Sequence, residues 1–199
     1  SKIQVEGGNP EDKVKFYTAL YHVLIHPSVA DDVTGEHITM GSHTVGQISG
    51  YNRYTIYSLW DTYRNVHPFL SLVYPKQQSD MVKSMLNMYN ESGWLPKWEL
   101  AGIETNCMVG DPAIPVIVDS YLRGVRDFDV NLAWEAMKHN ASTPGRDNPA
   151  RPGFNDWLKY GYIPDDAGYT LKVFTSGNIS YEYENGRRLG TVWGSVSTG

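Results

Sequence analysis

A single cysteine, Cys107, in 199 residues leaves no intrachain disulfide and no paired-cysteine zinc site. This poverty of cysteine suits a reducing compartment and is also compatible with a bacterial periplasm. Long apolar runs are lacking too, since no stretch approaches the roughly 20 residues needed to span a bilayer. The opening Ser1-Lys2-Ile3-Gln4 lacks the apolar core of a signal peptide. Basic residues are outnumbered, 17 against 22 acidic, for a net charge of −5, and no basic stripe is present to neutralise phosphates. Nucleic acid is therefore not an expected partner. A Gly-x-Ser-x-Gly elbow, a phosphate-binding P-loop and a dinucleotide Gly-x-Gly-x-x-Gly are all missing.

What is present is a chain 41% apolar, enough for one sizeable core, and rich in aromatics, with 6 Trp and 14 Tyr. Amphipathic rings of this kind fill cores and also stack on sugar faces. The expectation is one domain, or one part of a larger one.

Helix signals recur along the chain. Asn9-Pro10-Glu11-Asp12 reads as a cap, a proline at the first helical position and acids in the first turn, ahead of an apolar run from Val14 to Ile25 that His26-Pro27 should end. Residues Ala30 to Gly50 are polar, Gly-rich and aperiodic, which predicts a long loop. Tyr54 to Leu59 is extended or irregular. A helix from Leu59 towards Tyr74, capped by Ser58 and bent at Pro68, follows. Gln78 to Tyr89 places Met81, Met85 and Met88 on one face, and Gly93 stops that helix. Asp111-Pro112 starts another, with Ile114, Ile117, Val118, Tyr121 and Leu122 apolar and Gly124 closing it. Asp129 caps a helix through His139, and a short one spans Asn155 to Tyr160. Tyr169 to Phe174, Ile179 to Tyr183 and Arg188 to Trp193 alternate like strands, with turn signals at Ser176-Gly177-Asn178 and Asn185-Gly186. The pattern predicts a mainly α chain, an array of helical hairpins with a small antiparallel β excursion near residues 169 to 193.

Three stretches set carboxylates beside tryptophans or at helix starts: Ser58-Leu59-Trp60-Asp61-Thr62-Tyr63-Arg64, Gly93-Trp94-Leu95-Pro96-Lys97-Trp98-Glu99-Leu100 and Met108-Val109-Gly110-Asp111-Pro112-Ala113. A sugar site needs such pairs, because ring faces stack on aromatics while hydroxyls donate to carboxylates. Each acid has a plainer reading. Asp61 stands where a capping-box partner of Ser58 would, and Asp111 where an N-cap would. Glu99 could be a solvated acid or pair with Lys97 or Arg64. His22 and His26, spaced i, i+4, could share a helix face for a metal, but the residue after His22 is Val23 and no third ligand is evident. His43 and His67 read as polar loop and helix-cap residues, and Cys107 as a packed thiol.

Taken together, Phe16 to His22, Ser58 to Arg64 with His67-Pro68, Gly93 to Leu100, Met108 to Ala113 and Gly161-Tyr162-Ile163-Pro164 resemble glycoside hydrolase family 92 over about residues 3 to 167. The resemblance implies an exo-acting, calcium-dependent, inverting α-mannosidase, periplasmic or secreted, acting on α-mannoside glycans. It also implies an (α/α)6 toroid normally preceded by a β-sandwich. By its Trp-Asp-Thr motif the resemblance places a mannose-hydroxyl ligand on Asp61, with Trp60 beside it. It adds Trp98, Glu99 and Asp111 as further substrate-binding candidates.

Inverting hydrolysis also needs a general acid and a general base, with carboxyls about 6.5–9.5 Å apart. The family's acid and base motifs, of Thr-Glu-Gly-Asn and Gly-Asn-Asp type, do not occur here, and its calcium ligands are expected outside this chain as well. No catalytic or metal-binding residue is therefore assigned. Both ends read as cuts within a longer protein, so residues 1 to 199 are expected to form a partial glycosidase domain without a complete second domain. This partial domain should be inactive alone and covered by the remainder of its parent or by a self-association partner. Two alternatives stay open: a non-catalytic carbohydrate-binding helical domain, and a neighbouring (α/α)6 class acting on another glycoside.

Overall fold

The structure is a computed structural model that describes residues 2–42, 44–108, 110–143, 150–151 and 154–162, and the backbone of three strands between 172 and 191. His43, the Ile163-Pro164 pair and the two expected turns at 176–178 and 185–186 lie outside the described residues.

Helix α1 (Pro10–Val23) begins as its sequence dictates, with Pro10 at the first position and the Asn9 side chain accepting from the Asp12 amide at 2.8 Å. None of its residues is buried; Val14 and Tyr21 are both 67% exposed. The helix ends before His26, which instead meets Ser28 Oγ through Nδ1 at 3.2 Å. His22 and His26 therefore do not share a helix face, in keeping with the reading that the helix stops by His26-Pro27.

The stretch read as a long loop, Ala30 to Gly50, contains one pair of short strands and is flanked by another. β1 (Ser28–Val29) pairs antiparallel with β4 (Tyr54–Thr55), and β2 (Glu36–Ile38) with β3 (Val45–Gln47). These strands are too short for alternation to show in the sequence. Polar side chains hold them: Asp32 Oδ1 accepts from Thr34 N, Thr34 Oγ1 and Glu36 N. Glu91 accepts from Met40 N at 2.7 Å and from Arg53 Nη2 at 2.8 Å, and lies 2.9 Å from His37 Nε2. Arg53 is 2% exposed, so its charge needs this partner, and removal of one member of such a buried pair costs about 3–5 kcal/mol.

β5 (Tyr57–Ser58) leads directly into α2 (Leu59–Thr62), and α3 (Val66–Val73) follows separately. The expected single helix bent at Pro68 is instead broken at residues 63–65. Pro68 is the third residue of α3, where a missing N–H leaves no intrahelical bond unmade. α4 (Pro75–Ser92) extends beyond the predicted helix at both ends, opened by Pro75 and closed by Gly93 at φ 83°. β6 (Trp98–Leu100) and β7 (Ile103–Glu104) complete a three-stranded sheet in the order β5-β6-β7. α5 (Ala113–Leu122) and α6 (Val130–Ser142) come next, the latter capped by Asp129, whose Oδ1 accepts from Asn131 N and Leu132 N at 3.0 Å each. α7 (Phe154–Tyr160) follows. β8 (Lys172–Val173), β9 (Ile179–Glu184) and β10 (Arg187–Thr191) then form the expected antiparallel excursion in the order β10-β9-β8.

The core lies around α4, which packs on α3, α5 and α6. Met81, Val82, Met85 and Met88 from α4 meet Tyr57 and Leu59, Val116 and Ile117 of α5, and Ala133 and Ala136 of α6. The periodic face of α4 thus does what its spacing predicted. Because Tyr57 and Leu59 are fully buried and Tyr57 Oη donates to Met81 O at 2.9 Å, the intervening Ser58 and the following Trp60 and Asp61 are held at the edge of this core.

Candidate functional site

The β5-β6 pairing brings two of the three candidate stretches side by side. Ser58 stands opposite Trp98 and Tyr57 opposite Glu99, and Leu59 N donates to Lys97 O. Asp61, in the first turn of α2, is exposed, and its Oδ2 accepts from Ser58 Oγ. Ser58 makes no side-chain cap bond to the helix backbone, so Asp61 is not half of a capping box. Among the described residues Ser58 alone anchors this otherwise open acceptor. Trp60 is half-buried, and the Arg64 guanidinium lies 4.2 Å from its ring centroid, covering one face. Trp98 is half-buried on β6.

Glu99 is neither solvated nor paired with Lys97 or Arg64. It is 1% exposed, and its carboxylate accepts from Thr55 Oγ1, Ile56 N and Gly102 N, the last at 2.6 Å. Burial pushes its pKa above the ordinary carboxylate value, against the opposing effect of these donors.

Asp111 is not an N-cap. The cap position of α5 is Pro112, and the Asp111 side chain turns away to Asn140 Nδ2 at 3.3 Å and Arg151 Nε at 3.6 Å. Among the described residues its Oδ2 has no partner within hydrogen-bond distance, and burial raises its pKa, with Asn140, Arg151 and Lys97 acting the other way. Lys97, 7% exposed, is coupled in turn to Glu104 and Asp111, and burial pulls its pKa down.

Asp111 and Arg151 supply the charged part of a cavity of about 530 Å³, walled by Ile114, Pro115, Phe154 and Trp157. The Phe154 and Trp157 rings stack with centroids 6.0 Å apart and 13° between planes. Apolar walls with a few convergent polar groups are the usual make-up of a small-molecule site. Trp60, Asp61, Trp98 and Glu99 are not among this cavity's described lining residues.

Asn140 escaped the sequence reading although it shares the buried stripe of α6 with Ala133 and Ala136. A polar residue on an apolar stripe was the available signal. Fully buried, it accepts from Leu95 N at 3.1 Å and donates to Asp111, tying two candidate stretches together. Lys97, Arg151 and Trp157 had no local mark of their roles.

Among the described residues no three His, Cys, Asp or Glu side chains gather to hold a metal ion, so these residues do not fit a calcium ion. No helix among them is long and apolar enough to cross a membrane.

A mainly helical body with short antiparallel sheets, carrying an exposed carboxylate on α2 and tryptophans on α2 and β6, has the side-chain types that a sugar site uses. The family model for the glycosyl hydrolase family 92 catalytic domain matches residues 1–186, and the chain belongs to that family. Solved structures agree. The family GH92 alpha-mannosidase BT3965 from Bacteroides thetaiotaomicron is 34% identical, with a TM-score of 0.74 over 81% of this chain and 21% of that one. Its complex with mannoimidazole matches at 36% identity and a TM-score of 0.70, over 78% of this chain and 20% of that one. The inverting mannosidase BT2199 from Bacteroides thetaiotaomicron VPI-5482 matches at 31% identity and 0.72, over 82% of this chain and 22% of that one. The chain therefore spans about a fifth of the length of these structures' chains. No curated protein matches it.

Proposed function

We propose that this chain is part of the catalytic domain of an inverting exo-α-mannosidase that removes terminal α-linked mannose from glycans, and that it supplies sugar-binding residues rather than the acid and base. The observation that carries this reading is the 36% identity, over 78% of the chain, to a mannosidase solved with mannoimidazole. The exposed Asp61, held by Ser58, which pairs in register with Trp98, supports it. In this reading Asp61 accepts from hydroxyls of the terminal mannose, Trp60 and Trp98 offer ring surface, and Asp111 shapes the cavity that it lines with Arg151. The described helices are a section of an (α/α)6 toroid. Calcium is held by residues other than those described, and the protein works in the periplasm or outside the cell.

The test assays the full-length gene product and the isolated chain on aryl α-mannosides and mannobiose with added calcium, following the anomer of the mannose released. Inverted mannose from the full-length protein and none from the chain is expected. Failure of the full-length protein to release mannose removes the activity, and release by the isolated chain removes the division of roles. A binding-only domain would instead retain mannose without cleaving mannosides.

A further inference from the structure

We propose that Glu99 is a positioning residue whose carboxylate holds Ile56 in a left-handed conformation, and that this kink sets Ser58, and through it Asp61, beside Trp98. The inference rests on the mannoside reading for the role of Asp61. It moves Glu99 out of the set that touches sugar.

Ile56 has φ 65°, a conformation that is uncommon for any L-residue and a genuine outlier for a β-branched one. Its place explains the need. Ile56 is the single residue between β4 and β5: Thr55 and Tyr54 pair with Ser28 and Val29, whereas Tyr57 and Ser58 pair with Glu99 and Trp98. One residue must turn the chain from one sheet into another, and an extended conformation there would carry the strand straight on. Such a backbone persists only where its surroundings over-determine it. Here they do so through one carboxylate. Glu99 Oε2 accepts from Ile56 N at 3.1 Å and from Thr55 Oγ1 at 3.1 Å. Oε1 accepts from Gly102 N at 2.6 Å, and Ala101 N donates to Thr55 Oγ1 at 2.9 Å. Thr55, the kink residue Ile56 and Gly102 of the β6-β7 turn are thus gathered on a single side chain, whose own residue pairs in register with Tyr57. At 1% exposure, that side chain has no surface left for a sugar hydroxyl.

The consequence passes along the chain. Ser58, two residues beyond the kink, donates to Asp61, so the register of β5 on β6 decides where the Asp61 carboxylate stands.

The test is a double-mutant cycle in the full-length protein with Glu99→Gln, Ile56→Gly and both together, read as kcat and KM on an aryl α-mannoside and as melting temperature. Glutamine keeps the shape but replaces one acceptor by a donor that faces N–H groups. Glycine takes positive φ freely and does not need the carboxylate. Glu99→Gln should lower kcat/KM by about tenfold, mainly through KM, whereas Ile56→Gly stays within about threefold of the parent and the double variant recovers to a similar level. A double variant as weak as Glu99→Gln overturns the proposal, because glycine cannot rescue a lost sugar contact. Unchanged kinetics in Glu99→Gln also overturn it. If Glu99→Gln does not fold, recovery of folding by the added glycine supports the proposal and failure of both variants to fold overturns it. Should the parent neither cleave nor bind mannosides, the mannosidase reading falls by itself. The melting-temperature cycle then decides the kink, with rescue for and no rescue against.

Discussion

Replacing Asp61 by asparagine changes one oxygen to an amide and removes the negative charge, with almost no change of volume. The structure separates the two effects this could have. Asp61 is exposed at the start of α2, and its intramolecular contact is the bond from Ser58 Oγ, which the remaining amide oxygen can still accept. Its bond to Ser58 can therefore survive, and the melting temperature of the full-length protein should move by no more than about 2 °C, as for surface positions generally. Mannose binding is another matter. Hydrogen bonds to a charged acceptor contribute roughly 1.5–3 kcal/mol, so loss of one such bond to a sugar hydroxyl corresponds to roughly a 10- to 150-fold fall in kcat/KM. The assay is initial-rate hydrolysis of an aryl α-mannoside by parent and variant, paired with calorimetric titration of mannose and a thermal melt. Loss of activity with a retained melt is the expected pattern. Near-normal turnover and mannose affinity in the variant would refute the assignment and remove Asp61 from the site.

Other outcomes follow from the buried polar groups and the exposed faces. Asn140→Ala leaves Leu95 N–H buried without its acceptor, and should destabilise by about 1–3 kcal/mol in denaturant unfolding; a change under about 0.5 kcal/mol would refute that role. His67 is 1% exposed, with Nδ1 on Gln78, and burial lowers its pKa to about 4 from 6.5. The unfolded chain then binds the proton more readily, so stability is lost as pH falls from about 6.5 to about 4, with roughly 2 kcal/mol gone between pH 7.5 and 5. Asp111 and Glu99, with raised pKa values, act with the opposite sign on the acid side, so the check is the parent's pH profile minus that of His67→Gln. A difference profile flat between pH 7.5 and 5 would contradict the effect. The isolated chain, whose α1 exposes Val14, Tyr17 and Tyr21, is expected to self-associate with concentration in sedimentation experiments, and a clean monomer with cooperative unfolding would count against this.

The elements that the sequence made legible are those whose signals are local. α4 could be read from Met81, Met85 and Met88 at helical spacing with Gly93 behind them, and α6 from Asp129 at its cap, because each of these interactions lies within a few residues of its partner. The family was legible for a related reason, since its motifs are contiguous runs such as Trp60-Asp61-Thr62 and Lys97-Trp98-Glu99-Leu100. The strands between residues 28 and 47 were not, because two or three residues cannot show an alternation. They are held by side chains such as Glu91, which bonds His37 and Met40 from 54 and 51 positions away.

The roles of the acids divide along the same line. That Asp61, Glu99 and Asp111 stand near tryptophans or helix starts is a matter of adjacent letters. What each carboxylate does was decided by partners brought from afar: Thr55, 44 residues from Glu99, and Asn140, 29 residues from Asp111. A buried carboxylate must collect donors from whatever the fold places around it. Only the packed chain could distinguish an open acceptor at Asp61 from a filled one at Glu99.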